Sequence, residues 1–181
     1  QSIAEDKSIK YSISADHSSQ QSQWFKSIFN LLSGHLGIDF AESLPGEEPE
    51  LSFEVQNISR NEWISGSATD LTVSLSPSRF IWKSGKDTRQ YGGVQDQLQV
   101  SRLILKSIGL SYPNGDPWDN SFNQDKSILS YNEGDHSTYG HSFLPTELDL
   151  QAAANALKVN FVESPGANHS SPVIHVQSSD E

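Results

Sequence analysis

Arg102 and Lys106 stand four residues apart, and Tyr112 follows beyond Gly109. On a helix, positions four apart share one face, so both cations point the same way. A catalytic zinc needs protein ligands with lone pairs and one open position for water. Guanidinium and ammonium groups offer no lone pair and repel a divalent cation. Leu103 accepts no proton, and Tyr112 as a phenolate is one weak ligand. Shifting the register brings in nothing better, because residues 90–115 contain no histidine. If Arg102 or Lys106 turns inward it needs a carboxylate or carbonyl partner, since an unpaired buried charge is strongly destabilising. Asp149, Asp135 and Glu133 are the candidate carboxylates.

Other residues could do different chemistry. Asn114-Gly115-Asp116-Pro117-Trp118-Asp119-Asn120, continuing to Asn123 and Asp125, clusters side-chain oxygens of the kind calcium takes. Asp116, Asp119 and Asp125 are its first candidates, set against the preferred reading of a solvated loop rich in Asx turns. His136, His141, His169 and His175 lie in loops without metal spacing. A nucleophile elbow, a phosphate-binding loop and a dinucleotide fingerprint are all missing from the sequence. Trp63, Trp82, Trp118 and Tyr139 are candidate exposed aromatics in loops.

The elements that must position these residues are legible as patterns. Val94, Leu98, Leu105 and Ile108 recur at steps that put them on one face, giving a helix over 94–110. Trp24, Ile28, Leu31, Leu32 and His35 mark an earlier long helix, and a last helix covers roughly 145–158. Strands are expected at 9–13, 37–40, 51–55 and 71–75. Residues 42–50, 57–70, 76–93, 111–126 and 132–145 read as loops, with 57–70 turn-rich around Trp63 and Ile64. Residues 1–8 read as a frayed start. The tail 163–181 contains an apolar piece, Val173-Ile174-His175-Val176.

Taken together, these motifs resemble a serralysin-like, M10-type metzincin metalloprotease domain. Gly109-Leu110-Ser111-Tyr112-Pro113 is similar to the end of its zinc-binding helix motif, H-E-x-x-H-x-x-G-x-x-H. The resemblance puts Arg102, Lys106 and Tyr112 on the three ligand positions and Leu103 on the general base. Ser127-Ile128-Leu129-Ser130-Tyr131 resembles the family's Met-turn, with Leu129 for Met and Tyr131 on a tyrosine that can approach the metal. Residues 144–153 resemble the helix after that turn, with Asp149 on the family's aspartate. The resemblance implies an α+β, metzincin-like (zincin) fold: a twisted, mostly parallel mixed sheet of about five strands with three main helices. It also implies a binding cleft formed by Leu71, Val73, Leu75, Tyr112 and Tyr131, with 71–75 as the edge strand open to an extended peptide.

The chain has 181 residues, a length that suits one domain, 1–181. It begins at Gln1 and has no methionine, so processing or excision from a longer chain is expected. A net charge of −11 disfavours nucleic acid, whose phosphates call for a basic surface. No apolar run nears the roughly 20 residues that span a bilayer, so membrane insertion is not expected. Cysteine is absent, which removes disulfides and thiolate metal sites. Acidic, cysteine-free chains suit export, so an extracellular or cell-surface place is expected. The functional expectation is a catalytically inactive pseudoprotease domain, without zinc or other cofactor, that binds a peptide or protein through the former substrate cleft or serves as a structural module. The alternatives are a metallopeptidase or other hydrolase with a rebuilt metal site, and an architectural domain with a closed cleft.

Overall fold

A computed structural model describes residues 8–17, 19–55, 62–67, 70–75, 94–134 and 144–162. Strand β1, Ser8–Ile13, alternates so that Ile9 and Tyr11 are buried. Helix α1, Ser19–Leu36, lays Phe25, Ile28, Phe29, Leu32 and Leu36 on the same core. These positions follow the three- and four-residue steps of an amphipathic helix. Gly37 ends it with φ +61°, donating its N–H back to the Ser33 carbonyl at 3.1 Å. Because Gly37 is spent on that stop, the next strand, β2, runs Asp39–Glu42 rather than 37–40.

The sheet continues with β3, Leu51–Val55, then β4, Glu62–Ser67, and β5, Asp70–Leu75. Its spatial order is β2-β1-β3-β5-β4. The β1–β2, β1–β3 and β3–β5 pairings are parallel, and β4 returns antiparallel along β5. Two sequence expectations change here. Residues 57–70, read as a loop, hold strand β4. As a result β5 is hydrogen-bonded on both sides, and among the described residues the sheet edges are β4 and β2. A peptide cannot add to residues 71–75 as to an edge strand, because β4 already occupies that row of donors and acceptors.

Helix α2, Val94–Ser107, stops three residues short of the expected 110. Gly109 takes φ +103°, its N–H reaches the Lys106 carbonyl at 3.0 Å, and Leu110 N–H reaches the Leu105 carbonyl at 3.1 Å. This is a Schellman stop, and it turns the chain back toward Tyr112. Residues Val100 to Leu105 of α2 are all buried, as a helix enclosed on most sides must be. The Trp24 indole joins α1 to α2 by donating to the Gln97 carbonyl at 3.1 Å. Helix α3, Glu147–Leu157, starts after Thr146, whose hydroxyl caps it in a capping box with Asp149. Pro145 therefore lies outside the helix.

One hydrophobic cluster joins these elements, with Phe29 at its centre between Tyr11 (4.1 Å), Phe40 (5.3 Å) and Phe53 (5.8 Å) by ring centroids. Ser8, assigned to a frayed start, opens β1 opposite Asp39. Residues 1–7 and 163–181, including Val173–Val176, lie outside the described residues. Among the described residues no helix is long and apolar enough to cross a membrane.

His17, in the β1–α1 connection, is 6% exposed and packs edge-on to Phe25 at 5.3 Å. Burial holds its pKa below the ordinary histidine value, against the smaller upward effects of Gln21, the Phe53 carbonyl and Asp16. The unfolded chain therefore binds this proton more tightly than the folded one. The neutral ring's stability is full above the unfolded value of about 6.5 and is lost as pH falls below it. The melting temperature should drop from pH 7.5 to 5.5 by more in the parent than in His17→Gln. Equal drops in both proteins would remove His17 from the explanation.

Candidate functional site

Arg102 and Lys106 sit one turn apart on α2, and the stop at Gly109 returns Tyr112 to their side. Arg102 is 8% exposed. Its Nε donates to the Ile128 carbonyl and its Nη2 to the Ser130 carbonyl, both at 2.5 Å. Its guanidinium carbon lies 4.8 Å from the centre of the Tyr131 ring. The Lys106 ammonium donates to the Tyr112 hydroxyl at 3.1 Å and lies 4.7 Å from that ring's centre. The hydroxyls of Tyr112 and Tyr131 are 3.0 Å apart. An ammonium can only donate, so Tyr112 accepts from Lys106, and either hydroxyl can donate in the bond between Tyr112 and Tyr131. Of the three positions singled out in the sequence, Arg102 and Tyr112 meet Tyr131, and Lys106 joins them through Tyr112.

The turn 127–131 is held from two sides. From α2 the Arg102 fork takes two of its carbonyls. From α3 the Asp149 carboxylate, 2% exposed, accepts from Ser127 Oγ at 2.5 Å, Ile128 N at 3.0 Å and Thr146 N at 2.9 Å. Asp149 was a candidate partner for the buried cation. Instead it serves the turn and the start of α3, while backbone carbonyls serve Arg102. Glu133 is exposed, and Asp135 lies outside the described residues. Leu129, 3% exposed, is part of the core cluster beneath the turn.

The side chains at the positions that the metalloprotease resemblance assigns to zinc ligands do not fit zinc: a guanidinium already bonded to two carbonyls, an ammonium and a phenol. Leu103 is wholly buried among apolar side chains, so the general-base position faces the core. Among the described residues no group of three or more histidine or acidic side chains could hold a metal ion. Asp116 and Asp119 bind their own loop: Asp116 Oδ1 accepts from Trp118 N at 2.9 Å, and Asp119 Oδ1 accepts from Ser121 N at 2.8 Å. The bond from Ser121, followed by one from the Asn114 amide, holds the Asp119 carboxyl below its ordinary pKa. Asp125 is exposed and is not gathered with these two into a metal-binding group. His136, His141, His169 and His175 lie outside the described residues.

Of the proposed cleft, Tyr112 and Tyr131 come together. Leu71, Val73 and Leu75 belong to β5, whose backbone is placed in the sheet interior, and their side chains lie outside the description. So do those of Trp63, Trp82 and Tyr139. Trp118, by contrast, is placed: it is 61% exposed and stands edge-to-face with Tyr131 at 5.3 Å and 85°. Tyr112 also lines a groove of about 340 Å³ with Leu110, Phe122, Leu129 and the Leu148, Ala152 side of α3. The sequence offers Trp118 as one of four candidate exposed aromatics, and the structure places it exposed. His17 carried no signal beyond its residue type.

No family model matches the chain, and no curated protein matches it in sequence. Among solved structures it is similar to a chain of the GM1-bound form of the ECX AB5 holotoxin. The TM-score is 0.55 and the identity 12%, over 83% of this chain and 80% of that one. A likeness at this identity speaks to fold alone. It corrects the expectation of a metzincin-like (zincin) fold: the architecture is one shared with a chain of an AB5 holotoxin. The expectation rests on the order of elements along most of the chain, and its most specific part, 102–131, is made of short motifs with local causes. Gly109–Pro113 is a helix stop and its exit, and 127–131 is a turn pinned by one carboxylate. Such solutions do not by themselves specify a fold family.

Proposed function

We propose that this domain is a catalytically inactive binding or structural module of an exported protein. The observation that carries the reading is the Arg102 guanidinium seated on the carbonyls of Ile128 and Ser130. It crosslinks α2 to the 127–131 turn from the position where the metalloprotease resemblance puts a zinc ligand. A fixed guanidinium fork suits this task, since its donors are planar and preset. The surface left for binding is the mouth formed by Tyr112, Tyr131 and Trp118. Aromatic side chains supply large contact area and are enriched where proteins bind. An extended peptide partner adds at β4, the outer strand on that side of the sheet, by main-chain pairing. The acidic, cysteine-free composition supports export.

The purified protein should carry less than a tenth of an equivalent of zinc by elemental analysis, roughly the level of adventitious metal. It should leave casein uncut over a day. Chelator-sensitive cleavage, lost on Tyr112→Phe, would reject the reading.

A further inference from the structure

We infer that Trp118 is the stacking platform of a site for neutral sugar rings, a reading that rests on the domain being a binding module. Trp118 is 61% exposed, yet its loop is fixed. Its N–H is bonded to Asp116 Oδ1 at 2.9 Å, and the Pro117 carbonyl accepts from Tyr131 N at 2.7 Å. The Asn132 amide donates to the Asp119 carbonyl at 2.8 Å. The Tyr131 ring fixes the indole from one side, edge-to-face. An indole held out in water on a rigid loop forgoes its own burial, and binding then orders little that was loose.

The surroundings select the ligand. The face of an aromatic ring is electron-rich, and the C–H face of a pyranose is its complement. Sugar hydroxyls need acceptors around the rim. Asp116, Asn120 and Ser121, all exposed, and Asp119, half-buried, flank Trp118 along the chain. A carboxylate has about four lone-pair sites, and Asp116 Oδ1 uses one on Trp118 N. A purely apolar ligand would meet these polar groups at once. A small cation is the competing occupant for an indole beside carboxylates, and the choline arm of the titration separates it from a neutral sugar. An anionic sugar would meet Asp116 and Asp119 on a chain of net charge −11.

The test is an NMR titration of the ¹⁵N-labelled protein with methyl β-galactopyranoside, methyl β-glucopyranoside and lactose. N-acetylneuraminic acid and choline serve as anionic and cationic comparisons. At least one neutral sugar should shift the Trp118 indole N–H, identified by its absence in Trp118→Phe, together with the amides of 116–121. The dissociation constant should be of order 1–10 mM, as for one small contact patch. Trp118→Ala should weaken binding roughly tenfold or more and leave the melting temperature unchanged, because the ring is exposed. Asp116→Asn should weaken it less. Shifts only with choline or the sialic acid, no shift with any neutral sugar, or binding untouched in Trp118→Ala would each overturn the inference. A failed titration on zinc-free, inactive protein removes the platform and leaves the binding-module reading in place. Sugar binding on a zinc-dependent peptidase does the reverse.

Discussion

Replacing Arg102 by Met should destabilise the domain by about 3 kcal/mol, through the loss of two hydrogen bonds to a charged donor. In a chain of this size that lowers the melting temperature by roughly 6–12 °C. Opposing terms set the number. Met fills much of the arginine's volume and removes a charge from a buried place, which alone favours the variant. Where both partners of a buried pair can be made apolar, such swaps are often neutral. Here the partners are the main-chain carbonyls of Ile128 and Ser130, and no substitution removes them. Each would be left in a dry place without a donor, so the penalty stays. Arg102→Lys should recover only part of the loss, since one ammonium on a shorter reach does not span two carbonyls as the fork does. Lys106→Met should cost under about 1 kcal/mol, because Lys106 is only half-buried and its bond to the Tyr112 hydroxyl goes to a neutral acceptor. Thermal and urea melts of the three variants decide the matter. An Arg102→Met protein as stable as the parent would mean that the guanidinium does not hold the turn.

The residues that sequence could place are those whose environment is local. Helix α1 and strands β1 and β3 show their buried face in the repeat of apolar residues. The Thr146–Asp149 capping box sits within four positions too, yet the sequence reading passes over it and takes Asp149 as a counter-charge. Strand β4 could not be read this way. Trp63 and Ile64 lie among Ser65, Gly66 and Ser67, which are turn formers in isolation, and the segment is a strand because β5 offers it a partner. The same nonlocal pairing decided that β5 is interior. Arg102 shows a similar limit. That a buried cation needs an acceptor follows from its charge. That the acceptors are carbonyls does not, because every residue carries one and only packing selects which are near. Asp149 looked like the natural counter-charge, yet the turn's own donors were closer. Trp118 reads as a candidate exposed aromatic in an Asp/Asn-rich loop, and what the sequence does not show is the anchoring of that loop to Tyr131 and Asn132.

Changing Arg102, Lys106 and Tyr112 together to His should give the domain a zinc site that the parent lacks, with affinity at least a hundredfold above the parent's. Convergence is the reason. Lys106 touches Tyr112 at 3.1 Å, and both Arg102 and Tyr112 meet Tyr131. Three imidazoles at these positions would therefore surround one point, and Tyr112 lines a groove through which an ion could enter. Neutral imidazoles also remove two positive charges that repel the metal. Three histidines are a sufficient protein set for a tetrahedral zinc with water in the fourth place. The gain should fall short of a natural site, because no carboxylate is in place to orient the new rings. Zinc should also return part of the stability lost with the Arg102 fork, since a ligand bound only by the folded state raises the melting temperature with its concentration. Leu103 must stay. It is wholly buried, and Leu103→Glu would bring a carboxylate into the apolar core at a cost of several kcal/mol. For that reason the triple variant should bind zinc without cutting casein. The measurements are zinc stoichiometry by elemental analysis and melting temperature with and without one equivalent of zinc. A folded triple variant whose melting temperature ignores zinc would mean that the three side chains do not converge, and the register taken from Gly109–Pro113 would fall with it.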